Sequence, residues 1–190
     1  MISGASGSGK SLLLRALAFL DPYEQGELLW RGTPVRNLDS PDFRSRVIYS
    51  PQQPALLEGT VEDNLRLPFE LNQHSARLYS RDRVVHWLES LHRDANFLNK
   101  ESRDLSGGEA QLTTLLRVLQ LDPEVLLLDE PTSGLDSSAT AAVEHLLLRW
   151  VAEQSATRAL MWVTHDNSSA RRVGSAFRTI HQGRFEERQS

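Results

Sequence analysis

Cysteine is absent from all 190 residues. That excludes disulfides, cysteine-bound zinc and iron–sulfur clusters, and it suits a reducing compartment. Long apolar runs are also missing: none approaches the roughly 18 residues needed to cross a bilayer, so any membrane role is expected through a partner rather than by insertion. No signal-peptide pattern stands ahead of Gly4, and there is no internal repeat or low-complexity stretch. Positive charge is in deficit, with 21 Lys and Arg against 25 Asp and Glu for a net charge of −4. No basic stripe is left to offset phosphates, which argues against a nucleic-acid partner. His74, His86, His92, His145 and His181 form no i, i+4 metal pair. What remains is 39% apolar and 24% charged, the balance of one globular domain with room for an inserted subdomain.

The chain is organised around Gly4-Ala5-Ser6-Gly7-Ser8-Gly9-Lys10-Ser11, which fits G-x-x-x-x-G-K-[ST] and runs straight into Leu12, Leu13 and Leu14. Glycines keep side chains out of the way, so successive backbone N–H groups can surround a polyphosphate, and the following helix points its positive end at the same anion. Lys10 adds a full charge near the β- and γ-phosphates, and the Ser11 hydroxyl can take one position on Mg²⁺. The stretch predicts a nucleoside-triphosphate site. Only Met1, Ile2 and Ser3 precede it, a poor central strand against the usual length of about 5–6 residues. The expectation is a truncated N-terminus, through a misplaced start, a fragment or strands that are truly absent.

Downstream, Ser11 to Leu20 reads as a helix ended by Asp21-Pro22. Gly26 to Gly32 reads as a short strand and turn, Ser40-Pro41-Asp42-Phe43 as a helix start, and Val47-Ile48-Tyr49 as a buried strand that stops at Ser50-Pro51-Gln52-Gln53-Pro54. From about Thr60 to Arg103 the pattern is polar and helical, with Val84, Val85, Leu88 and Leu91 on one face. Leu105-Ser106-Gly107-Gly108-Glu109 then opens a long helix to about Gln120. Val125 to Asp129 is a continuous apolar run, expected as a parallel strand buried on both faces, with Glu130 beside it. Ser137 to Glu153 reads as a helix with Val143, Leu146, Leu147 and Trp150 inward. Ala159 to Thr164 reads as a second buried strand ahead of His165, and 177–185 as a terminal hairpin. Alternating strands and helices predict a doubly wound α/β sheet.

Two carboxylates, Asp129 and Glu130, stand at a strand's carboxyl end, where ligands collect in such sheets, and Asp129 there can hold Mg²⁺, usually through water. Ser106 is a candidate helix cap, and with two glycines beside it forms a second anion site.

The phosphate loop, Gln52, Leu105–Glu109, Asp129-Glu130, Ser133-Gly134-Leu135-Asp136 and His165 occur in one order that resembles, along the whole chain, the nucleotide-binding domain of ATP-binding cassette (ABC) ATPases. The resemblance implies a P-loop NTPase (RecA-like) α/β fold with a mostly parallel sheet core at 1–59 and 115–190 and an inserted helical subdomain at 60–114. It implies ATP and Mg²⁺ as ligands. Gly4 to Ser11 and Leu12 would bind nucleotide, and Ser11, Gln52 and Asp129 would serve the metal. Lys10, Gln52, Glu130 and His165 would carry catalysis, with His165 on the γ-phosphate. Ser106, Gly107, Gly108 and Glu109 would close over the nucleotide of a second subunit, with Asp136 at the seam of an ATP-dependent homodimer.

Thr60–Leu65, Val118–Gln120 and Trp162–Asp166 resemble bacterial importer and exporter subunits, nearest to an iron-export ATP-binding subgroup. That implies a cytoplasmic ATPase held at the inner face of the membrane by a separate transmembrane permease. The alternatives are a non-transport ABC ATPase of DNA repair or translation, and a binding-only truncated module. Two departures stand out. The family's adenine-stacking aromatic lies upstream of the phosphate loop and has no counterpart here, and Leu12 stands where most members have threonine.

Overall fold

The computed structural model describes residues 1–74 and 77–186. β1 (Ile2–Ser3) leads through the glycine-rich loop into α1 (Lys10–Leu17). A hairpin, β2 (Leu29–Trp30) and β3 (Thr33–Pro34), precedes α2 (Ser40–Arg46) and β4 (Val47–Ser50). The helical stretch carries α3 (Val61–Arg66) and α4 (Arg81–Ser90), then α5 (Gly107–Leu119). The remainder alternates: β5 (Val125–Asp129), α6 (Ser137–Glu153), β6 (Ala159–Val163), α7 (Asn167–Val173), β7 (Arg178–His181) and β8 (Arg184–Phe185). The main sheet runs β4-β5-β6-β1-β7-β8, parallel throughout except for β8.

Two expectations are corrected. β1, short as it is, lies inside the sheet, with Ile2 opposite Val163 on one side and Arg178 on the other. The Thr164 N–H donates to the Ile2 carbonyl (3.2 Å) and the Arg178 N–H to that of Met1 (3.0 Å). Neighbours on both sides hold this strand, so its own length matters little. Helix α1 ends at Leu17, ahead of Leu20 and without help from Pro22. Phe19 turns left-handed (φ 56°); its N–H reaches the Ala16 carbonyl (3.0 Å) while that of Leu20 reaches Arg15 (2.9 Å). That is a Schellman ending, with phenylalanine where glycine is usual.

The apolar run of β5 alternates between two cores, as a strand covered on both faces must. Leu126 and Leu128 join a cluster built from α3, α4, α5 and α6 with Trp162 of β6. Leu127 joins the opposite cluster, with Leu14, Val35, Phe43, Val163 and Ile180. The helical stretch therefore shares its core with one sheet face. On α4, Val84 and Leu88 are buried, as is Leu91 just beyond it; Trp87 joins them, while Val85 is only partly covered.

Candidate functional site

The glycine-rich loop is shaped by contacts that tolerate no side chain. A Cβ on Gly4 would run into the Ile180 carbonyl oxygen, and Gly4 has φ 147°. Gly9 caps α1 with φ 99°, a left-handed turn that glycine takes freely. The β7–β8 turn holds the loop from behind, where the Gly183 N–H donates to the Ser8 carbonyl (3.0 Å). Lys10 is buried, and its Nζ donates to the carbonyls of Gly4 and Ala5, both at 2.8 Å.

Three neighbouring parallel strands deliver the remaining groups from their carboxyl ends. Asp129 ends β5, Gln52 follows β4 and His165 follows β6. With Gly4, Ser6, Gly7, Gly9, Lys10, Ser11, Leu12 and Glu130 they line one cleft of about 460 Å³. Glu130 is held at φ 49°, and its N–H donates to the Val163 carbonyl (3.0 Å). One of its oxygens, Oε2, accepts from Gln52 Nε2 (3.0 Å) and lies 3.1 Å from His165 Nδ1. The turn carrying His165 is fixed by Asp166, which caps α7 through Ser168 and Ser169. Hydrogen bonds from the Ser168 hydroxyl and N–H, then from Ser169, draw the Asp166 carboxyl down to about 2.

Sequence reasoning read Tyr49 only as a strand residue, yet its hydroxyl donates to Asp129 Oδ2 (3.1 Å). Burial, then the Asp129 charge, pushes the phenol up to about 12. Its side chain lies in register opposite Leu127, two residues ahead of Asp129, a fact that only strand pairing supplies.

The other motif residues lie elsewhere. Ala5 offers its carbonyl to Lys10, and the Ser8 hydroxyl is buried; neither side chain lines the cleft. Ser106 and Glu109 form a capping box at the start of α5, and Lys100 pairs with Glu109 at 2.6 Å. The Lys100 hydrogen bond is the main cause holding the Glu109 carboxyl below its ordinary value. Gly108 abuts the next motif: a Cβ there would meet Leu135 Cδ2 at 2.9 Å and the Gly134 oxygen at 3.1 Å. Gly107 faces open space, and Asp136 caps α6 by accepting from the Ala139 N–H (2.8 Å). None of Ser106, Gly107, Gly108, Glu109 and Asp136 lines the phosphate-loop cleft.

The donor set in the cleft suits Mg²⁺. Asp129 is 3% exposed, with no basic partner among the described residues, and Ser11 lines the same cleft. No group of three or more His, Asp or Glu that could cage an ion occurs among the described residues. Few hard oxygens beside a phosphate site fit an ion that keeps water and phosphate in its shell.

Residues 1–133 match the ABC transporter family. The chain belongs to that family. It is 41% identical over 169 residues to a probable iron export ATP-binding protein, FetA, of Escherichia coli (strain K12), covering 87% of this chain and 72% of FetA. It is 31% identical over 205 residues to the histidine/lysine/arginine/ornithine transport ATP-binding protein HisP of Salmonella typhimurium (strain LT2), covering 98% and 76%. In three dimensions it is similar to the dimeric ATP-binding cassette MJ0796 in a post-hydrolysis state bound to ADP and Pi. There the TM-score is 0.83 at 29% identity, over 98% of this chain and 82% of that one. The chain is accordingly an ABC-type ATPase with an ATP-binding domain.

Proposed function

We propose that this ABC ATPase hydrolyses ATP to drive a separate transmembrane permease. The observation that carries the reading is the convergence of Lys10, Gln52, Asp129, Glu130 and His165 on one cleft. A triphosphate entering it exchanges the Gly4 and Ala5 carbonyls for phosphate oxygens on Lys10. Glu130 is the general base for the water that attacks the γ-phosphate in line, and Gln52 and the His165 ring hold its carboxylate from one side. Lys10 and His165 stabilise the charge that develops on the transferred group. Ser11 and Asp129, with Gln52 nearby, would hold Mg²⁺, which supplies charge neutralisation across the phosphates when bound.

The capped start of α5, with Gly107 open, is the part that would close on the nucleotide of a second copy, placing Asp136 at the seam. Residues 60–114 and the Gln52 loop would receive the permease, which places the ATPase at the cytoplasmic face of the membrane. The likeness to FetA supports export of iron or another metal as the transport reaction, with the cargo handled by the permease.

The solution mass of the Glu130→Gln protein tests this reading. Addition of MgATP is expected to convert monomer to dimer, and a monomer with and without nucleotide would count against it. Co-purification with a polytopic membrane protein supports the transport role; co-purification with ribosomes or DNA would replace it.

A further inference from the structure

We propose that Tyr49 is a positioning residue that keeps Asp129 to a single free oxygen and thereby favours Mg²⁺ over Ca²⁺ at the ATP site. The inference rests on the reading that Asp129 serves the metal. Tyr49 stands on β4 opposite Leu127, so its ring reaches along the sheet to the end of β5 and donates to Asp129 Oδ2 at 3.1 Å. Asp129 is almost wholly buried, and among the described residues no other side chain donates to it. Oδ2 therefore has one lone pair engaged and the carboxylate's orientation is held, with Oδ1 the oxygen turned to the metal or its water.

That difference matters because the two cations use carboxylates differently. Mg²⁺ demands near-octahedral geometry, dehydrates reluctantly and takes carboxylates sparingly, whereas Ca²⁺ accepts both oxygens of one carboxylate in a looser shell. A carboxylate held through Oδ2 is fixed in orientation and presents only Oδ1 without a competing side-chain hydrogen bond. Released, it can turn and offer two. Tyr49 also lies three residues ahead of Gln52, so one continuous segment carries both the amide beside Glu130 and the donor on Asp129. The alternative is that Tyr49 only fills space, since its ring packs against the core cluster around Leu127.

The 190-residue chain with ADP decides between them. Bound Mn²⁺ is followed by electron paramagnetic resonance, and Mg²⁺ and Ca²⁺ are titrated in as competitors. Tyr49→Phe keeps the ring and removes the donor, so the Ca²⁺-to-Mg²⁺ affinity ratio is expected to rise roughly fivefold, the worth of one hydrogen bond. ADP affinity without metal should stay at the wild-type value. Tyr49→Leu, also without a donor, must move the ratio the same way. A ratio unchanged in Tyr49→Phe, or Mg²⁺ and Ca²⁺ affinities that fall together in step with the melting temperature, overturns the proposal and leaves Tyr49 a packing residue. Asp129→Asn separates the two layers. If it leaves Mn²⁺ affinity unchanged, the metal role of Asp129 fails, and the inference about Tyr49 fails with it.

Discussion

Glu130 sits in the left-handed region, at φ 49°, and one carboxylate oxygen faces both the Gln52 amide and the His165 ring. A residue held in that backbone region by its neighbours is placed by the fold rather than by its own preference. Glu130→Gln keeps the shape and removes the proposed base, so turnover should fall by about 10²–10⁴-fold, the usual worth of general-base catalysis, while nucleotide binding persists. Single-turnover phosphate release measures this, and hydrolysis at the wild-type rate would sink the assignment. Leu12 gives the opposite kind of prediction. It lines the cleft yet is 66% exposed, so replacing it disturbs no core. In the proposed nucleotide site Leu12→Thr would add a hydroxyl near the α-phosphate, and it should tighten ATP binding by about 0.5–1.5 kcal/mol, one net hydrogen bond. Calorimetric titration reads the change, and an equal or weaker affinity contradicts it.

Among the elements, α6 and α7 are joined by a buried charge. Glu144 on α6 is nearly inaccessible and accepts two hydrogen bonds from Arg172 of α7, at 2.7 and 2.8 Å. Burial alone would push this carboxyl up, but the bonds from Arg172 and Ser169 hold it below its ordinary value. A carboxyl depressed in the folded state stabilises that state fully above its unfolded pKa, about 4.3 for glutamate, and loses the contribution as pH falls through the folded value. Arg172→Met should therefore destabilise the protein clearly at pH 7, and the gap to wild type should narrow as pH drops below about 4. Urea unfolding at both pH values gives the answer; a gap that widens in acid excludes the pair as the cause. The start of α5 follows the same logic locally. Ser106 and Glu109 close a capping box, so Ser106→Ala should cost about 0.5–2 kcal/mol of stability, whatever it does to nucleotide.

At the scale of the molecule, β5 and β6 carry the site on their carboxyl ends and the main core on their faces. Because the helical stretch and the sheet share one cluster, damage to either side is expected to reach the other. Leu126 has no exposure, and Leu126→Ala should cost about 2–5 kcal/mol in a global unfolding transition. Gly107, in contrast, meets open space. Gly107→Asp is expected to leave the monomer fold and its own ATP affinity intact. It should abolish the proposed MgATP-dependent dimer, because there it would set a carboxylate against the partner's phosphates. Light scattering together with nucleotide titration tests this; loss of both properties, or of neither, contradicts it.

Much of this was legible in the chain. The phosphate loop, the apolar runs of β5 and β6, and the span of α6 from Ser137 to Glu153 each depend on chemistry within a few neighbouring residues. Order and spacing of motifs therefore determined the family and the α/β class, and picked out residues that the structure gathers in one cleft. Pairing was not legible. Periodicity shows which face of a strand is apolar but not which strand lies beside it, so the place of Ile2–Ser3 inside the sheet came only from partners far along the chain. The same holds at the site. Tyr49 meets Asp129, and Gln52 and His165 meet at Glu130, because parallel register brings three distant strand ends together. Residue chemistry was local and readable; the hydrogen bonds that orient it were decided by contacts across the sheet.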